Sequence, residues 1–153
     1  MLVYSDHFFI CEQLFFQFPV VGQIAANAFA AEAIVLAAAD GLDRLPAAQA
    51  QGEEAEAAAA KAANLNYVHL PFNAAAPDPM LVDNFLKALS DPKNQPAFIH
   101  CASANRAAAL WMIKRVELDK WDVDRASAEA TALGLSSPAL KTFVMEQIQA
   151  RKK

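Results

Sequence analysis

Phe98-Ile99-His100-Cys101-Ala102-Ser103-Ala104-Asn105-Arg106 decides how the chain is read: a short apolar strand, a loop of small residues, then the start of a helix. A cysteine between a strand and a helix N-terminus sits at the positive end of the helix dipole. Backbone N–H groups of the loop, at Ser103, Ala104 and Asn105, would converge on whatever its sulfur attacks. Arg106 adds a fixed positive charge with bidentate geometry for an oxyanion. Together these features activate a thiol as a nucleophile. The plainer alternative is an inert cysteine packed at a strand end.

Outward from this stretch, short apolar runs alternate with helical ones, the pattern of an α/β domain. Val3-Tyr4 and Phe8-Phe9-Ile10 flank Ser5-Asp6-His7 and predict a short N-terminal hairpin. Ala33 to Ala37 reads as a buried strand closed by Asp40-Gly41, and Tyr67-Val68-His69-Leu70 as a third strand ending at Pro71. Ala97 to His100 follows Pro96 and makes a fourth. Helices are expected over Ala47–Ala63, rich in alanine and glutamate, over Pro79–Leu89 with Pro79 in the first turn, and over Arg106–Leu118. Asp122 or Asp124 caps the next helix, which runs to Leu133 and stops at Gly134. Ser136 or Ser137 caps the last, with Pro138 in its first turn. Residues 14–29 fit this scheme poorly, because apolar side chains point in nearly every helical direction while Pro19 and Gly22 interrupt. Such a segment is buried or lines an apolar cavity.

The chain has 153 residues with net charge −4, 56% hydrophobic and 20% charged. This length fits one domain, 1–153. Alanine fills 35 positions, so the chain is apolar without being greasy. Disorder is excluded by the abundance of apolar residues. The most apolar stretch, Ile24 to Ala39, is too short to span a membrane and holds Asn27 and Glu32. Residues 1–111 carry net −6 and residues 112–153 net +2; with no basic face, nucleic-acid binding is not expected. The partner expected is a small-molecule substrate, with no nucleic acid and no membrane. Two distant cysteines make no disulfide framework, and no basic region precedes an apolar run at the N-terminus. A cytoplasmic location follows as the expectation. Three scattered histidines with two separate cysteines predict no metal site, and no cofactor is expected. Trp111 and Trp121 read as helix packing residues.

His-Cys-…-Arg between the last strand and a helix resembles the phosphate-binding loop of the tyrosine-phosphatase-like superfamily. More narrowly, the chain is similar to the bacterial tyrosine-phosphatase-like (beta-lactamase-hydrolase-like) domain family. The likeness rests on Tyr67-Val68-His69-Leu70-Pro71, Asp91-Pro92 with Gln95-Pro96, the run from His100 through Trp111, and Asp122 to Leu135. It covers residues 64–150 well and 1–10 weakly. The resemblance implies a tyrosine-phosphatase-like central sheet flanked by helices. It also implies attack on phosphorus by Cys101, phosphoryl oxygens held by Arg106, and a leaving group protonated by a loop aspartate, for which Asp78 is nearest.

The chain departs from the superfamily pattern in a consistent direction. Four residues separate Cys101 from Arg106 where the superfamily has five, and Ala107-Ala108-Ala109 stands where a Ser or Thr would follow the arginine. The loop after the third strand reads Phe72-Asn73-Ala74-Ala75-Ala76, and Cys11-Glu12-Gln13-Leu14 replaces a Ser-Gly-Gln-Pro-like sequence. Most of these changes put Ala or Phe near the mouth of the loop. An engineered variant with an enlarged apolar pocket accounts for them simply: a designed cysteine esterase for an apolar aryl ester, using a Cys–His dyad and backbone N–H groups. Cys11, after the strand Phe8–Ile10, would then sit on the rim of a cavity lined by Phe15, Phe16, Phe18 and Phe72, with His69 as base. Whether Cys11 or Cys101 is the working thiol stays open at this level. Two rivals remain, a catalytically silent binder of small apolar ligands and a weak phosphatase of the native type.

Overall fold

The computed structural model describes residues 8–10, 33–38, 57–58, 60–61, 66–94, 97–101 and 104–152. Within them lie strands β1 (Phe8–Ile10), β2 (Ala33–Ala38), β3 (Val68–Pro71) and β4 (Ala97–His100). The helices are α1 (Pro79–Ser90), α2 (Asn105–Glu117), α3 (Val123–Ala132) and α4 (Pro138–Arg151). Residues 57–58 and 60–61 are helical too; the rest of the helix expected over Ala47–Ala63 lies outside the described residues.

Four strands pair in the order β1-β4-β2-β3. β1 runs parallel to β4, with Phe9 opposite Phe98. β2 runs antiparallel to both β4 and β3. The partner found for Phe8–Ile10 is therefore β4; Val3-Tyr4, the other arm of the expected hairpin, lies outside the described residues. Since β2 opposes both neighbours, β1, β4 and β3 all point the same way, and their C-terminal ends emerge at one edge of the sheet. On that edge α/β proteins place their sites.

Local chemistry explains where the helices begin and end. Asp78 caps α1, its Oδ1 accepting from the Met80 N–H at 2.9 Å, with Pro79 next in line. At the far end a single 3₁₀ turn, Pro92–Asn94, folds the chain back. Buried Asn94 secures it by donating Nδ2 to the Ala88 carbonyl at 2.7 Å and by accepting from Asn66. Asp122 caps α3 through the Arg125 N–H at 2.8 Å, and Ser137 caps α4 through the Leu140 N–H at 3.4 Å. α3 stops in a Schellman motif: Gly134 takes φ 113, and the Leu135 N–H returns to the Ala130 carbonyl at 2.9 Å. A residue with a Cβ would be strained there.

α2 is the centre of the helical layer. Every residue from Ala107 to Val116 is buried, the mark of a helix enclosed on all sides rather than on one stripe. The alanines at 107–109 let neighbours approach closely; α3 and α4 pack on α2, and α1 lies against β3 and α2. Phe72 and Phe143 meet at 6.1 Å between ring centres, joining the loop after β3 to α4.

Charge is buried in this layer as well. The Arg115 guanidinium forms a two-pronged pair with Glu129 of α3, Nε to Oε2 and Nη2 to Oε1, both at 2.7 Å. Its Nη1 reaches Asp119 at 2.9 Å. Trp111 and Trp121 stack on it, with ring centres 4.7 and 4.1 Å from Cζ. Trp111 also donates Nε1–H to Glu129 at 3.0 Å. Trp111 is thus a packing residue of α2, as expected. Trp121 packs on α2 and α3 from the connection between them, where the Trp121 N–H returns to the Arg115 carbonyl at 3.0 Å and the ring lies against the guanidinium groups of Arg115 and Arg125. Lys114 completes the group, with Nζ 2.8 Å from Asp119 and 4.5 Å from the Trp111 ring centre.

Burial opposes the charge on Arg115, but its hydrogen bonds to Glu129 and Asp119 outweigh that and hold it above the ordinary arginine value. For Lys114 burial prevails over the pull of Asp119 and sets its pKa below the ordinary 10.5.

Two outcomes are expected. Arg115→Met strands Glu129 inside the protein and should cost about 3–5 kcal/mol, read as a fall in the urea midpoint. Between the lowered Lys114 value and 10.5 the unfolded chain holds more protons than the folded one, so this lysine's contribution to stability grows as pH rises through that window. The stability difference between the parent and Lys114→Met should therefore shift in favour of the parent as pH rises toward 10.5 in paired urea titrations.

Candidate active site

At the edge where β1, β4 and β3 end, the described residues place Cys101 after β4 and Phe72 after β3. Cys101 directly follows β4, is 5% exposed and belongs to the hydrophobic core. Four residues later α2 begins. Ala104, at its N-cap, takes a left-handed conformation (φ 60, ψ −26) and is buried, with no side-chain cap of its own. Left-handed geometry costs an L-residue about 1–2 kcal/mol, so the turn out of the cysteine loop is held under strain by its surroundings.

Arg106, on the first turn of α2 and half-buried, donates Nη1–H to the Phe72 carbonyl at 3.4 Å. The bond spans from α2 to the segment after β3, so two of the predicted site residues meet through it. Phe72 is nearly fully buried, its ring against Phe143. Asp78 stands six residues beyond Phe72, exposed, its Oδ1 taken by the α1 cap.

His69 is half-buried on β3. The register sets it opposite Val35, and Val35 in turn opposite His100. His69 and His100 therefore share one rung of the sheet with β2 between them, about 9.5 Å apart at two strand spacings. At that separation proton exchange between His69 and a thiol just past His100 needs a side chain leaning across β2, or a bridging water. β1 ends at Ile10, in register with Ile99. Cys11, Phe15, Phe16, Phe18 and Ser103 lie outside the described residues. Among the described residues no three His, Cys, Asp or Glu side chains gather as a metal would need, and no helix is long and apolar enough to cross a membrane.

The side chain of Asn105 makes a contact that the sequence did not signal. Its Oδ1 accepts from the backbone N–H groups of Ser136 and Ser137, both at 2.9 Å, and its Nδ2 lies 3.1 Å from Ser136 Oγ. The start of α2 is lashed in this way to the start of α4. Nothing in the local sequence signals a contact across 31 residues; the Ser-Ser-Pro cap was legible, its partner was not.

The family model for the phosphatase-like domain of beta-lactamase hydrolase-like proteins matches residues 13–117, about two-thirds of the chain. The chain belongs to that family. Among curated proteins and among solved structures nothing matches it. The matched span closes at the last residue of α2, whereas the resemblance read from the sequence ran on to residue 150.

Strain at Ala104 gives a direct test. Ala104→Gly should be neutral or stabilising by up to about 1 kcal/mol, since glycine accepts φ near 60 without penalty. Ala104→Val, which combines branching with overpacking, should lower the thermal midpoint sharply.

Proposed function

We propose that the chain is one domain and works as a cysteine-nucleophile hydrolase. Cys101 attacks, and the loop N–H groups with Arg106 stabilise the developing negative charge. The observation that carries the reading is the placement of Cys101 at the sheet edge between β4 and α2, with Arg106 anchored to the Phe72 carbonyl on the first turn of that helix. For a phosphoester, the sulfur bonds to phosphorus as the P–O bond to the leaving group breaks. That oxygen takes a proton from Asp78, through the oxygen the α1 cap leaves over, or from water; water then cleaves the S–P bond. For an aryl carboxylic ester the same sulfur forms an acyl-thioester, expels the phenolate and is released by water. His69 serves as the base in the second case. The short loop and the alanine after Arg106 favour the aryl ester over the phosphoester.

An activated aryl ester should acylate the protein in a burst, with the mass increment on the Cys101 peptide and absent from Cys101→Ala. An increment confined to Cys11, or no increment, overturns the assignment. Aryl-phosphate turnover should be weak, and Arg106→Ala should lower it a further 10²–10³-fold, roughly what one oxyanion donor contributes.

A second reading is favoured by the burial of Cys101: a silent binder of small apolar ligands, in which the thiol only packs. Turnover by Cys101→Ser equal to that of the parent would select it.

A further inference from the structure

We infer that Asn105 is a positioning residue whose neutral amide holds the first turn of α2, which carries Arg106, in place without cancelling the positive field that Arg106 and the α2 N-terminus offer an anionic reactant; the inference rests on the Cys101–Arg106 reading above. Two backbone N–H groups at 2.9 Å identify the oxygen of the amide, since a nitrogen there would face donors with donors. Those N–H groups belong to Ser136 and Ser137, at the mouth of α4, where Ser137 is itself the cap. Asn105 therefore joins the N-termini of two helices, and it does so at the first residue of α2, between strained Ala104 and Arg106. Removing the amide removes the hydrogen bonds that tie this turn to the α3–α4 connection.

Tethering alone does not explain an asparagine. An aspartate would accept the same two N–H bonds more strongly. It would also be favoured by the dipoles of both helices, and Ser136 Oγ, 3.3 Å from the amide oxygen, could turn its hydrogen toward a carboxylate. Stability by itself would choose Asp. A carboxylate adjoining Arg106 would, however, neutralise the only cation the first turn of α2 presents. The neutral acceptor keeps the geometry and spares the charge.

Alkylation with two probes of like size and opposite electrostatics reads this out. Iodoacetate carries a negative charge and iodoacetamide none; in each the thiolate sulfur bonds to the CH₂ carbon as iodide leaves. The rates on the Cys101 peptide are followed by mass, and their ratio is normalised to a small free thiol. The parent should show a ratio favouring iodoacetate, and Arg106→Gln should reduce it. Asn105→Asp should lower the ratio about tenfold, as expected for a unit charge at close range, while its thermal midpoint stays level or rises. Asn105→Ala should lower the midpoint and slow both probes, and Ser136→Ala, which leaves both backbone N–H groups in place, should do neither. A parental ratio retained in Asn105→Asp, with Arg106→Gln still effective, overturns the inference alone. No iodoacetate preference in the parent overturns the Cys101–Arg106 reading and the inference with it.

Discussion

Arg115 occupies a place where a charge should not be comfortable. It projects from the most enclosed helix among the described residues, yet it is met by several partners: a carboxylate from α3 paired with its fork, a second from the α2–α3 turn, and two indole rings stacked against it. The desolvation cost of such a group is several kcal/mol per ion, and it is offset only when geometry and hydrogen bonding are both good. The contact therefore fixes more than it stabilises. For Glu129 and Trp121 to reach Arg115 together, α3 must cross α2 at one place and in one register. An all-apolar seam of alanines between the same helices would allow sliding.

The placement of α3 in turn sets the active-site edge. The turn that closes α3 is completed at Gly134, and from there the chain needs only Leu135 and the two serines to reach α4. Those serines present the N–H groups that Asn105 binds. A chain of rigid links thus runs from the buried guanidinium to the first turn of α2 and the cysteine loop before it. The left-handed turn at Ala104 is therefore backed by helices packed behind it.

Much of the secondary structure was legible because its signals are local. Ser137-Pro138, Gly134, Asp122 and Pro79 are caps, stops and first-turn signals whose chemistry acts over one turn, and β4 was placed to the residue; the capping role of Asp78 was not read. The strand-cysteine-helix-arginine order was equally readable, and it led to the right family. What the sequence withheld was pairing. Nothing in Phe8-Phe9-Ile10 says that it lies parallel to β4, and nothing in Ala33–Ala38 that it runs against both neighbours. Polar contacts between helices were hidden for the same reason: Glu129 looks like a surface residue of an alanine-rich helix until Arg115 is seen beneath it. The side-chain contact of Asn105 was hidden likewise: its amide faces a connection 31 residues away. The aromatic segment 14–29, with Cys11 just before it, remains a reading of the sequence alone.

The turn at Gly134 carries an implication for how this chain can change length. Surface connections between helices usually accept insertions, because nothing depends on their path. Here the path is gauged. The Schellman turn fixes the exit direction from α3, Leu135 is buried immediately after it, and the next two N–H groups must arrive at one carboxamide oxygen. One added residue between Gly134 and Ser137 would either lift Leu135 out of the core or pull the serines away from Asn105. The α3–α4 connection should therefore be among the least extensible in the molecule, although it lies on the surface and is built of ordinary turn residues.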